Sequence, residues 1–177
     1  MKMTVVAVVG GKKTGKTTIT ESLTRELTQR GYRVAAVKHI SEPDFTIDKE
    51  GKDTWRFAKA GAKTIVGISS GEIATIEKAN TEKFSLKDIL KKCIDSDVVI
   101  LEGFRKLIAK NSEVLKIAVL KTAQDATEAE KSFAPLLAFA GLSSLVVAES
   151  SVPYVNVLKN AESLADLVEK TIKEKNS

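Results

Sequence analysis

Residues 10–17 read GGKKTGKT, so Gly10, Gly15, Lys16 and Thr17 satisfy the spacing GxxxxGK[ST]. The flanks matter as much as the letters. Residues 4–9, TVVAVV, are β-branched and apolar throughout, which suits a buried strand, and residues 16–30 carry Ile19, Leu23 and Leu27 at spacings of four, which suits an amphipathic helix. A glycine-rich turn between a buried strand and a helix can point its N–H groups inward, and the positive end of the helix dipole falls on the same spot. Phosphate oxygens complement such a nest. Lys16 is placed to reach the β and γ phosphates of a nucleotide, and the Thr17 hydroxyl to coordinate a magnesium ion bridging them. Gly11, Lys12, Lys13 and Thr14 complete the loop, and Thr18 follows at the α-phosphate end or as an ordinary first-turn helix residue. Lys12 and Lys13 either touch a nucleotide, their own or a second subunit's, or are solvated at the loop tip.

The rest of the chain repeats the strand–helix alternation. Residues 33–37 are a second strand candidate, and Gly31 before them stops the first helix. After a loop at 41–48, residues 52–62 form a short helix with Asp53 or Thr54 as cap and Gly61 as its end. Residues 64–68 and 72–76 flank a Ser-Ser-Gly turn and read as an antiparallel hairpin. Residues 84–94 are helical with Ser85 as cap, and 97–101 and 117–120 are buried strands. Residues 128–139 read as helix, 145–148 as a further buried strand, and 152–158 as an edge strand limited by Pro153. A helix over 162–173 closes the chain, before a polar tail, KEKNS, expected to fray. Wholly apolar strands each followed by a helix predict an α/β fold, with a mostly parallel sheet covered on both faces and a small hairpin extension. One domain is expected over residues 1–177, with its site at the carboxyl edge of the sheet.

Composition narrows the classes of partner. The net charge of +5 comes from lysines scattered along the chain, with 5% aromatic residues and no arginine-rich tract, so nucleic-acid binding is not expected. No apolar run is long enough to span a membrane, and a single cysteine, Cys93, builds neither a disulfide framework nor a metal cage. A cytoplasmic protein is the simplest reading.

A second acid is expected where a buried strand ends, so that a carboxylate can hold magnesium directly or through water. Glu102 meets this, following four apolar residues and preceding Gly103, whereas Asp97 sits at the strand's entering end. His39 follows the second strand at the same edge. A lone histidine is more often structural than catalytic, yet its ordinary pKa near neutrality keeps it a candidate. Asp44, Asp48 and Asp53 lie where a nucleotide-responsive segment would be, although solvated loop acids and a helix cap describe them equally well.

Taken together, GGKKTGKTT, VKH at 37–39, DFTIDKEGKDTWRFAKAGA at 44–62, and DVVILEGF followed by KIAVL resemble the MobB proteins, the adaptors of molybdopterin-guanine dinucleotide biosynthesis. The resemblance runs to about Leu120. It implies a P-loop NTPase three-layer sandwich, GTP with magnesium, a homodimer, feeble hydrolysis, and help in attaching GMP to molybdopterin beside a guanylyltransferase partner, for a molybdenum or tungsten cofactor. By position it implies that residues 10–18 hold phosphates, that Lys16 and Glu102 serve the reacting end with Thr17 and Glu102 on the metal, and that Lys38, His39, Lys52, Asp53 and Thr54 line the cofactor-facing cleft. The chain departs from the pattern at Arg105, where a lysine commonly follows EGF. It also departs at residues 120–125, LKTAQD, a distorted echo of the guanine-reading NKxD, which leaves ATP as the alternative nucleotide. Two rival readings use the same loop. A small-molecule kinase would normally add an arginine cluster, which this chain lacks, and a nucleotide-gated binding module would deliver a change of assembly rather than a product.

Overall fold

The computed structural model describes residues 3–147 and 150–176. It divides the chain into two compact units, one built from the segments up to His39 and from Ser85 onward, the other from Ile40–Phe84.

In the first unit, β1 (Thr4–Gly10) leads into α1 (Lys16–Gln29) and β2 (Val34–Lys38). After the second unit come α3 (Leu86–Lys91), β5 (Val98–Glu102), α4 (Arg105–Ile108), β6 (Leu115–Val119), α5 (Asp125–Phe133), β7 (Ala138–Gly141), β8 (Tyr154–Asn156) and α6 (Ala161–Asn176), numbered to leave α2, β3 and β4 for the second unit. Six strands pair in the order β2-β5-β1-β6-β7-β8, every pair parallel. Side chains of β1 alternate between two apolar layers. Val6 and Val8 join Ile19, Leu23, Leu27, Val168 and Ile172 beneath α1 and α6, while Val5, Ala7 and Val9 join Ile89, Cys93, Ile108 and Phe133 beneath α3, α4 and α5. Covering both faces explains why β1 and β5 are apolar throughout instead of alternating with polar residues.

The second unit holds α2 (Asp53–Lys59) and the antiparallel pair β3 (Thr64–Ile68) and β4 (Ile73–Glu77). Ser69 closes the turn, its Oγ accepting the Glu72 N–H at 3.0 Å. The cap of α2 differs from expectation. Lys52 occupies the N-cap with no side-chain bond, Asp53 is the first helical residue, and the Thr54 hydroxyl donates instead to Asp48 Oδ1 at 2.9 Å. Ser85, by contrast, caps α3 as expected, in a reciprocal capping box with Asp88.

Two expectations in the carboxyl-terminal third are corrected. The helix expected over 128–139 starts earlier and stops at Phe133, and the strand beside β6 is Ala138–Gly141. Pro135 lacks an N–H and is incompatible with a continuing helix, and the four buried residues that follow fit a sheet interior. The strand expected over 145–148 is not formed at 145–147, and Ala148 lies outside the described residues. The chain's closing helix continues into the tail expected to fray, as far as Asn176.

Candidate functional site

Sheet register brings the chemistry to one edge. Val8 and Lys38 both pair with Glu102, and Gly10 with Val119, so the ends of β1, β2, β5 and β6 lie level at the start of the glycine loop. The loop is held by packing. A Cβ on Gly10 would lie 2.8 Å from the Val119 carbonyl oxygen and 2.9 Å from Thr14 Oγ1. Gly15 has φ 95°, a left-handed conformation that favours glycine, and a Cβ there would lie 2.7 Å from Leu142 Cδ1 in the segment after β7. Lys13 also has positive φ, 58°. Gly15 is the N-cap of α1 and gives no side-chain cap, and the first turn of α1 carries no acid. The helix therefore presents its amino-terminal N–H groups without a protein carboxylate or hydroxyl capping them, which is the electrostatic arrangement an anion complements.

Lys16 folds back over this loop, its Nζ donating to the Gly11 carbonyl at 2.5 Å, and Thr14 Oγ1 donates to the same oxygen at 3.1 Å. Burial pushes the Lys16 ammonium below its ordinary pKa. The Glu102 carboxylate opposes that shift, while the positive fields of Lys38 and Arg105 add to it. Lys16 thus feels two other cations, Lys38 and Arg105, and a polyanion would relieve that repulsion.

Glu102 is buried, 7% exposed. Its Oε1 accepts the Thr17 hydroxyl at 3.1 Å and forms an ion pair with Lys38 Nζ at 3.1 Å, and Lys38 Nζ also lies 3.4 Å from Thr17 Oγ1. The structure brings together a hydroxyl, a carboxylate and a cation at the point where a magnesium ion was expected. Those donors fit a hard divalent ion, with the Lys38 ammonium standing in for its charge. No group of three or more His, Cys, Asp or Glu suited to a metal occurs among the described residues, so an ion here would draw its remaining ligands from phosphate oxygens and water.

His39 is exposed and follows β2. Its N–H donates to the Glu102 carbonyl at 2.9 Å, and its ring meets Phe104 edge-on with centroids 5.4 Å apart. Phe104 itself has φ 51°, and Gly103 before it has φ 92°. Lys12 and Lys13 are exposed at the loop tip, and Thr18 is half-buried in the first turn of α1. Lys52 and Asp53 belong to the second unit, at the start of α2, where Asp53 pairs with Arg56 at 3.5 Å.

Sequence reasoning missed a cleft of about 300 Å³ that opens beside Gly10 and Lys12, on the sheet face carrying α5. Arg105, Lys121, Asp125 and Phe133 line it. Residues 120–125, read as an echo of a base-recognition motif, form one wall. Asp125 accepts the backbone N–H groups of Lys121 and Thr122, both at 2.9 Å, and those two bonds, Thr122's first, hold its pKa below the ordinary carboxylate value. That carboxylate braces its own loop. The residues come from three separate segments, so no local signal in the sequence could have joined them.

The model of the family described as molybdopterin guanine dinucleotide synthesis protein B matches residues 5–142. Among curated proteins, a putative molybdopterin-guanine dinucleotide biosynthesis adapter protein of Methanocaldococcus jannaschii is 37% identical over 67% of this chain and 48% of its own length. The molybdopterin-guanine dinucleotide biosynthesis adapter protein of Haemophilus influenzae is 36% identical over 57% of each. The chain therefore spans about half the length of the curated relatives it matches. The solved structure of a MobB protein homolog from Bacillus stearothermophilus superposes with a TM-score of 0.68 at 20% identity, over 97% of this chain and 99% of that one. Bacillus subtilis MobB gives 0.72 at 19% identity, over 93% and 98%, so both share the fold.

Proposed function

This chain belongs to the MobB family, and we propose from that premise that it is a cytoplasmic GTP-binding adaptor assisting the attachment of GMP to molybdopterin. The observation that carries the nucleotide half of this reading is the loop between β1 and α1. Its glycines admit close packing from Val119 and Leu142, its helix lacks a side-chain cap, and Lys38 and Arg105 both act on Lys16 through their charges. A triphosphate supplies the negative charge this arrangement favours.

Each side chain then has a task. The loop and the first turn of α1 hold the phosphates, and Lys16 exchanges its bond to the Gly11 carbonyl for phosphate oxygens. Thr17 and Glu102 would be the protein ligands of a magnesium ion, which would neutralise charge on the phosphates. Lys38, released from Glu102, is then free to serve the same anion. With its carboxylate engaged by Thr17 and by the ion it would hold, Glu102 is a poor general base, and hydrolysis is expected to be slow. GTP is preferred on family grounds, with ATP as the alternative. A guanylyltransferase partner and a homodimer belong to the same proposal. The exposed side chains of Val66, Ile68 and Ile73 give the second unit an apolar surface suited to a protein partner.

Calorimetric titration of the purified chain with Mg-GTP and Mg-ATP tests the reading. Saturable binding that Lys16→Ala weakens by about two orders of magnitude is expected, in keeping with loss of charge-assisted bonds at a phosphate site. Absence of binding by both nucleotides, or unchanged binding by Lys16→Ala, would refute it.

A further inference from the structure

We propose that the cleft between Gly10, Arg105 and α5 binds a small phosphate monoester carrying a flat heteroaromatic body, and that this is where the pterin substrate of the proposed function is held. The inference rests on that function for the identity of the ring, and on the following geometry for the site.

The cleft is floored by apolar groups. Ala118, Leu120, Ala129 and Phe133 each expose 8% or less of their surface. At its rim stand Lys12, Arg105 and Lys121. The guanidinium carbon of Arg105 lies 5.2 Å from the centroid of the Phe133 ring, a cation–π contact that orients the group. Its ion pair with Glu128 is long, 3.7 Å, and Glu128 is 77% exposed, so that partner is readily exchanged for a better one. A phosphate is such a partner, because its oxygens match the planar fork of an arginine.

The opposite wall is fixed before any ligand arrives. Asp125 ties down the backbone at Lys121 and Thr122, which sets where the Lys121 side chain leaves the loop. An apolar floor, a ring-oriented guanidinium and a lysine on a braced loop suit a molecule with a flat body at one end and a phosphate at the other. About 300 Å³ lies at the lower limit of small-molecule pockets, enough for one fused ring system and too little for a whole dinucleotide.

Placement separates this site from the nucleotide's. The cleft lies on the face carrying α5, whereas α1, whose amino terminus receives the triphosphate, packs on the other face with α6. Gly10, Gly11 and Lys12 belong to both the cleft and the loop, so the two ligands would meet across the loop. Arg105 also acts electrostatically on Lys16. The second ligand is thereby placed beside the nucleotide's phosphates without competing for them.

The test uses the intact chain and neopterin monophosphate, followed by its own fluorescence, with and without a saturating non-hydrolysable Mg-GTP analogue. Saturable binding that survives the analogue is expected. Neopterin without the phosphate should bind about tenfold more weakly, and Arg105→Gln and Lys121→Gln should each cost about tenfold, as loss of one charged hydrogen bond does. Both side chains are exposed, and thermal melting checks that the variants fold. Three results would overturn the proposal: no saturable binding, binding abolished by the analogue, or equal binding by wild type and both variants. A separate titration of the analogue reads the nucleotide site, and a chain that fails it while binding neopterin monophosphate would remove the proposed function and leave this site standing.

Discussion

Gly15→Ala is the substitution that most directly probes why the loop between β1 and α1 has its shape. Gly15 sits at φ 95° and ψ 15°, between the loop and the first residue of α1. Two separate costs arise. An L-residue in the left-handed region loses about 1–2 kcal/mol against a relaxed backbone. In addition the new methyl would lie 2.7 Å from Leu142 Cδ1 and 3.1 Å from its Cγ, well inside contact distance. Leu142 is a flexible, half-buried side chain and can turn away, at about 0.5–1.5 kcal/mol for an unfavourable rotamer. The sum is a loss of about 1.5–3.5 kcal/mol in unfolding free energy.

Urea denaturation of four proteins separates the two parts: wild type, Gly15→Ala, Leu142→Ala and the double variant. Removing Leu142 abolishes the collision but leaves the backbone strain, so Gly15→Ala should cost about 1–2 kcal/mol in the Leu142→Ala background, and the pair should couple by about 1 kcal/mol. Additive effects would mean that Leu142 does not brace the loop. Wild-type stability in Gly15→Ala would remove the strain argument as well.

Two further predictions concern titratable groups. Lys116 is fully buried in β6, its Nζ has no hydrogen-bond partner among the described residues, and burial lowers its pKa from the ordinary 10.5. The unfolded chain then binds the extra proton, so stability should rise with pH toward 10.5. Lys116→Met should remove that slope and add about 1–3 kcal/mol near neutrality; urea titrations at pH 7 and 9.5 that find the variant weaker at both would contradict this. Asp97 is held at about 2, against an ordinary 3.8, by hydrogen bonds from the Arg33 guanidinium and then its backbone N–H. A depressed carboxylate stabilises above its unfolded pKa and loses that contribution as pH falls from 3.8 toward 2. With Arg33 exposed and screened, the amount is about 1 kcal/mol, and Asp97→Asn should unfold with a shallower acid limb than wild type, equal limbs counting against the bond.

What could be read from the sequence was local. β1, the loop and α1 are contiguous, and their apolar spacing switches period at the glycines, so strand, turn and helix each announce themselves. Glu102 was legible because a charge directly after four buried residues needs a partner. The region from α5 to β7 was not. Apolar residues run on from Phe133 through Leu136, Leu137 and Phe139, and that run satisfies a helix as well as a strand until Pro135 is given its weight. Residues 145–147 satisfy a strand locally, but β7 and β8 pair directly with each other and leave them no place between. Lys116 was hidden because a lysine in LKIAV is ordinarily taken to be solvated. The cleft depended on sheet order, since only the pairing of β6 with β1 sets Asp125 and Phe133 beside Gly10.

The same sheet order explains why the loop can be rigid without a helix cap. Most helices satisfy their first N–H groups with a Ser, Thr, Asp or Asn side chain, and an anion must then displace that group or do without. Here Gly15 leaves the first turn without such a side chain, and the loop is shaped from both sides by packing instead, with Val119 of β6 against Gly10 and Leu142 after β7 against Gly15. Both neighbours belong to segments beside or beyond β1 in the sheet, so the core packs against the loop at both glycines. On the proposed function, phosphate binding on such a loop would spend little on ordering the backbone. Its strength should then follow charge, falling with salt and with loss of Lys16, more than it follows changes in loop flexibility.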